Sequence, residues 1–145
     1  MIVQFFGIDV VKRNRIAKDF AEKTESVFCT DRELPMASLE AQFARWLRSI
    51  AGIFQRNELN NIVLSGYFPS KESRQQFKEG IDTSKVITVW IDTMDVSELD
   101  IPTIKNVSTD FSWELPEEYE YDIHITEDIT YDKLSELINL EASKR

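Results

Sequence analysis

The chain has 145 residues, 42% hydrophobic and 30% charged, with 17 basic and 26 acidic side chains and a net charge of −9. That is enough for one domain with a real core and too little for two ordinary ones. No apolar run approaches the ~20 residues of a membrane span, no secretory leader opens the sequence, and the acid excess disfavours nucleic acid and anionic membranes as partners.

The expected location is a cytoplasm, the cell's own or that of a host. The lone Cys29, in the apolar run VFC, fits a reduced compartment and a buried structural thiol, because no base is at hand to make it a nucleophile. The charge is uneven: residues 1–93 carry 13 basic and 12 acidic side chains, residues 94–145 carry 4 and 14. The acidic last third is therefore expected either to face a basic protein partner, through residues 94–128, or simply to keep the chain in solution.

Ile2, Val3, Phe5 and Phe6 read as a strand covered on both faces. A turn entered through Gly7 follows, then a helix with a basic start whose Ile16, Ala17, Phe20 and Ala21 form one apolar stripe. Strand, turn and helix in this order are the frame of a phosphate-binding loop, G-x-x-x-x-G-K-[ST], in which backbone N–H groups wrap phosphates, a Lys neutralises them and a hydroxyl holds magnesium. Counting from Gly7, Lys12 stands at the second Gly, Arg13 at the Lys and Asn14 at the Ser/Thr, with Val10 and Val11 between. The cofactor-binding candidates are therefore Gly7, Lys12, Arg13, Asn14 and Arg15. Two readings stay open: Lys12, Arg13 and Arg15 as a solvated basic turn, or as a residual anion site in which the Arg13 fork contacts phosphate. Val10 and Val11 should keep the loop from opening into a wide backbone nest.

A second strand, Ser26 to Cys29, ends at Thr30 and Asp31, which puts Asp31 at the carboxyl edge of the sheet, either as a candidate catalytic or magnesium-holding group or as a turn or cap aspartate. Leu39, Phe43, Trp46, Leu47, Ile50, Ile53 and Phe54 recur at helical spacing over 36–54, a long core-facing helix. Ile62 to Leu64 begin a third strand. Ser70 caps the next helix, with Glu72 in its first turn. Val86 to Ile91 form a fourth strand ending in Asp92 and Thr93. Residues 94–118, without period and holding Pro102 and Pro116, read as a lid or binding loop, with Phe111 and Trp113 either offered to a partner or pinning the loop over the sheet edge. Tyr121 to Ile125 read as a fifth strand, with His124 in a structural or surface role, and Thr130 caps a last helix. The expected fold is α/β: a five-stranded, mainly parallel sheet between two helical layers, residues 2–6 central, in one domain over 1–145. Asp31, Asp92 and Arg13 are expected to converge at the carboxyl edge.

The chain resembles the adenylylsulfate kinases, small P-loop kinases. IVQFFGIDVVKRNRIAKDFAEK lies over the family's glycine-rich opening, RWLRSIAGIF over its R-R-I-A-E-V-A-K-L-F, IVLSGYFPSKESR over V-I-V-S-A-I-S-P-Y-R-E-D-R, and WIDT over the strand end V-D-T. The closing DIHITED is similar to short phage versions with a reduced lid. The resemblance implies a three-layer P-loop NTPase-like fold, ATP and magnesium as cofactors, and Asp31 and Arg13 in catalytic positions. It also marks departures: Cys29 and Leu34 replace the first Asp and the Arg of a D-G-D-x-x-R motif, Phe43 a substrate-binding Asn, and Phe68 the Ser before Pro69, while the lid keeps only Lys105. Phosphoryl transfer needs those charges together. The expectation is a degenerate kinase-like protein with weak nucleotide or protein binding; the alternative is an active ATP-dependent phosphotransferase on a small nucleotide-type substrate.

Overall fold

The computed structural model describes residues 1–30, 40–57, 61–93 and 113–145, with side chains of the second helix from Arg45 onward. Its strands are β1 (Ile2–Phe6), β2 (Val27–Thr30), β3 (Ile62–Gly66), β4 (Val86–Ile91) and β5 (Ile123–Ile125), and its helices α1 (Val10–Lys23), α2 (Glu40–Arg56), α3 (Lys71–Lys78) and α4 (Tyr131–Ser143). The sheet order is β2-β3-β1-β4-β5 and each neighbouring pair is parallel. The expected central place of residues 2–6 and the outer place of the second strand are both found.

Alternation of side chains along the strands divides the core in two. Val3, Phe5, Val63, Ile87, Val89 and Ile91 face α1 and α4, where Ile16, Ala17, Phe20, Leu134 and Ile138 cover them. Ile2, Phe6, Ile62, Leu64, Val86 and Trp90 face the other way, onto Leu47, Ala51 and Phe77 of α2 and α3. β1, β3 and β4 are buried at every position because helices lie on both faces, which is why the sequence shows them as unbroken apolar runs. Gln4, Ser65 and Thr88 are the polar exceptions, and Gln4 and Thr88 satisfy each other across the β1–β4 ladder at 3.1 Å.

Local capping follows the sequence. Ser70 accepts from the Ser73 amide and the Ser73 hydroxyl accepts from the Ser70 amide, closing a capping box on α3, while Thr130 accepts from the Lys133 amide at the start of α4. Two expectations shift. The fifth strand is shorter, beginning at Ile123, because the Asp122 carboxylate takes the Thr88 amide and Asp122 is held outside the strand. Cys29 is half-buried rather than buried, since β2 is an edge strand. Among the described residues no helix is long and apolar enough to cross a membrane.

Candidate functional site at the carboxyl edge

The connection from β1 to α1 is only Gly7, Ile8 and Asp9, because α1 already begins at Val10. The turn expected over residues 7–13 is thus mostly helix, and Val10, Val11, Lys12, Arg13 and Asn14 belong to the first turns of α1. Asp9 is the N-cap: one carboxylate oxygen accepts from the Lys12 amide at 3.1 Å and the other accepts from the Thr93 hydroxyl at 2.9 Å. A carboxylate here satisfies an orphan amide and complements the positive end of the helix dipole. Gly7 has φ +141°, and a Cβ on it would stand 2.2 Å from the Ile91 carbonyl oxygen. Close approach of β4 therefore demands glycine at this position without any phosphate.

Arg13 is fully buried. Its Nε donates to the Ser65 hydroxyl at 2.9 Å and its Nη1 to the Gly7 carbonyl at 2.6 Å. The guanidinium is turned back under the loop toward β3, so Arg13 is not part of a solvated basic turn. Asn14, also buried, accepts from the hydroxyls of Ser65 and Thr30, leaving its amide nitrogen buried without a partner among the described residues. Lys12 and Arg15 point outward instead, and both meet Asp128 beyond β5, at 3.8 and 2.7 Å. The cofactor-binding candidates are therefore split between the interior and the surface of α1.

Asp31, the catalytic candidate after β2, lies outside the described residues, as do Leu34, Lys105, Phe111 and the side chain of Phe43. Asp92 extends β4 and bonds the ring Nε2 of His124 at 2.8 Å. His124 stacks flat on Trp90, centroids 4.1 Å apart and planes within 2°. Arg13 and Asp92 reach in opposite directions, Arg13 to β3 beside β1 and Asp92 to β5 at the far sheet edge. The expected convergence of the two is not built by their contacts.

The described end of the irregular segment is strapped down. Trp113 lies 6.1–6.4 Å from the rings of Phe6, Tyr67 and Trp90, over the ends of β1 and β4. The Glu114 amide donates to the Pro69 carbonyl at 2.8 Å. Arg74 is the staple: Nε to Glu120 at 2.8 Å, Nη1 to the Phe68 carbonyl at 2.6 Å and Nη2 to the Glu114 carbonyl at 2.8 Å, with its guanidinium over the rings of Phe6 and Trp113. Arg74 and Glu120 are each more than nine-tenths buried. Phe68, between them and the core, has φ 43°, a left-handed conformation costly for an aromatic residue and held here by burial against Phe77 and by the Arg74 bond. Outside this staple, Lys71 meets Glu117 at 2.6 Å, and that hydrogen bond raises the Lys71 pKa. Arg74 closes the motif IVLSGYFPSKESR, which the resemblance matched without assigning it a role, and nothing in the sequence marked Glu120, Asp9 or Asp128. An acidic residue within an acidic stretch carries no sequence signal of which cation it will meet.

No family model and no curated protein matches the chain. Solved structures do: a hexameric APS kinase from Thiobacillus denitrificans at TM-score 0.64 and 15% identity, over 99% of this chain and 29% of that one. A sugar kinase from Janibacter sp. HTCC2649 aligns at TM-score 0.65 and 14% identity over 98% and 94%, and the shikimate kinase from Aquifex aeolicus vf5 at 0.53 and 16% over 99% and 96%. This chain spans less than a third of that APS kinase chain and nearly all of the other two. Together with the strand order, these likenesses define the fold as that of the P-loop kinases. At these identities they define the fold alone.

Proposed function

We propose that this is a P-loop kinase-like protein whose phosphate loop is closed by its own side chains, and that phosphoryl transfer has been lost. The reading rests on one observation above the others. The amino end of α1, where a phosphate-binding fold presents backbone amides to an anion, is capped by the Asp9 carboxylate. A triphosphate brought there would meet a fixed negative charge.

The remaining donor set supports the same conclusion. The three-residue connection leaves no backbone nest, Arg13 spends its donors on Gly7 and Ser65, and Asn14 offers magnesium no hydroxyl and has its carbonyl oxygen engaged. Lys12 and Arg15 face Asp128. ATP and magnesium therefore do not fit these residues, and no catalytic step is routed through them. An adenylylsulfate kinase-like ancestry agrees with the elements that remain, but the substrate of that family has no charged side chain at the described edge left to receive it.

For binding, the strapped segment 113–128 is the surface best placed to serve. Much of its acid is consumed internally, Glu117 by Lys71, Glu120 by Arg74, Asp122 by Arg145 and Asp128 by Lys12 and Arg15. Glu114, Glu118 and Glu127 remain exposed and would meet a basic protein partner. Calorimetric titration with ATP and magnesium tests the central reading: affinity weaker than millimolar is expected, and tight magnesium-dependent binding would overturn it.

A further inference from the structure

At the amino edge of the sheet, away from the closed loop, lies a cavity of about 260 Å³ lined by Lys78, Thr83, Val86, Tyr119, Asp122 and Arg145. The end of α3, the start of β4 and the approach to β5 build its walls. Its charges are unequally matched. Asp122 spends one carboxylate oxygen on the Thr88 amide at 2.8 Å and the other on Arg145 at 2.9 Å. Arg145 also donates to the Thr83 carbonyl at 2.8 Å. Glu120, whose backbone carbonyl is the acceptor for Lys78 at 3.4 Å, turns its carboxylate away to Arg74 and to the Glu117 amide.

Lys78 is thus a half-buried ammonium that forms no ion pair among the described residues, with a guanidinium as a neighbour on the same cavity. Desolvation lowers its pKa, Asp122 and Glu120 work against that, and Arg145 adds to it. A cation in this position is short of one negative charge. Thr83 and Tyr119 complete the lining, Tyr119 being three-quarters exposed.

We propose that this amino-edge cavity binds a small oxyanion, a phosphate or carboxylate, with Lys78 as its counter-ion and Thr83 beside it in the lining. Arg145 contributes charge and stays tied to Asp122. Nothing in the proposal depends on the state of the loop at Gly7, because the two sites sit at opposite edges of the sheet.

The test is nuclear magnetic resonance on the uniformly nitrogen-15- and carbon-13-labelled protein, with inorganic phosphate in one arm and acetate in the other, against sodium chloride at matched ionic strength. Saturable shifts at the Lys78 side chain and at the Thr83 and Asp122 amides are expected in at least one arm, and the stronger arm names the anion class. Lys78→Met should weaken the response by about tenfold or more, whereas Lys78→Arg should retain it. A dispersed amide spectrum establishes that each variant is folded. The proposal is overturned by an equal response to chloride, by shifts confined to residues 7–15, by an unchanged response in Lys78→Met, or by no saturation with either anion. The lysine resonances of the native protein decide the matter even if a variant fails to fold.

Discussion

The two edges of the sheet treat charge in opposite ways. At the carboxyl edge the buried or part-buried charged groups are absorbed by the protein: Arg13 by Gly7 and Ser65, Asp9 by α1 and Thr93, Arg74 by Glu120 and two carbonyls, Asp92 by His124. At the amino edge Lys78 is left half-buried and without an ion pair among the described residues. Doubly wound folds ordinarily keep their open polar groups at the carboxyl edge. Here Arg13, Asp9, Arg74 and Asp92 at that edge are engaged within the protein itself. The difference predicts that substitutions at the carboxyl edge cost stability, while those at the amino edge change binding.

The largest effect is expected at the staple. Removing one member of a buried ion pair leaves the other charged and unpaired, so Arg74→Met or Glu120→Gln should cost about 3–5 kcal/mol in urea denaturation. Arg74→Met combined with Glu120→Leu should recover much of the loss, because no buried charge remains. A single substitution costing less than about 1 kcal/mol, the range of exposed pairs, would show that the staple is solvated and the edge still open.

Trp113→Ala comes next, at about 3 kcal/mol, the low end for a large aromatic because Trp113 is only partly buried. If stability is unchanged but a basic partner protein no longer binds, Trp113 belongs to an interface and not to the plug over β1 and β4. Asp9→Ala is smaller, about 1 kcal/mol, as for the loss of an N-cap. Its second readout is the sharper one. With the carboxylate gone, the helix end should show no gain in ATP affinity if Arg13 and the short connection also close the loop. Submillimolar binding in that variant would locate the whole blockade in one side chain.

The sheet was legible in the sequence because burial on both faces writes each central strand as an unbroken apolar run, and a helix stripe such as Ile16, Ala17, Phe20 and Ala21 has a period of its own. The helix caps Ser70 and Thr130 were legible for a local reason, a hydroxyl three residues from the amide it accepts. Arg13 was not. Its neighbours Lys12 and Arg15 are surface residues, and only the rotation of α1 decides which of three clustered cations turns inward to Ser65, a residue fifty-two positions away. Glu120 and Asp128 were invisible for a related reason: their partners Arg74 and Arg15 lie 46 and 113 positions distant. Gly7 was legible as the residue that opens the turn, and the structure adds a second reason for it. A glycine after the first strand fits a phosphate loop, yet the backbone of β4 alone excludes any other residue there. Folding patterns are local and periodic, whereas charge partners at an edge are set by tertiary geometry.

The smallest effect is a pH dependence at the amino edge, and its sign follows from Lys78. Its pKa in the folded protein is lowered, first by desolvation. In the unfolded chain a lysine titrates near 10.4. Between those two values the unfolded state binds more protons than the folded one, so the native protein gains stability as pH rises through that window. Below the folded pKa the cost of the half-buried ammonium is present in full; above the unfolded value it is gone. Other groups titrate in the same range, Lys71 with the opposite sign because its folded pKa is raised by Glu117, so the quantity to follow is the difference between the native protein and Lys78→Met. The native protein should gain on the variant as pH climbs from neutrality toward 10.4, and a saturating oxyanion should flatten that gain by compensating the charge. A difference that stays constant across the window would mean that the Lys78 ammonium is as well solvated folded as unfolded. The contrast between a consumed carboxyl edge and a charge-deficient amino edge would then not hold.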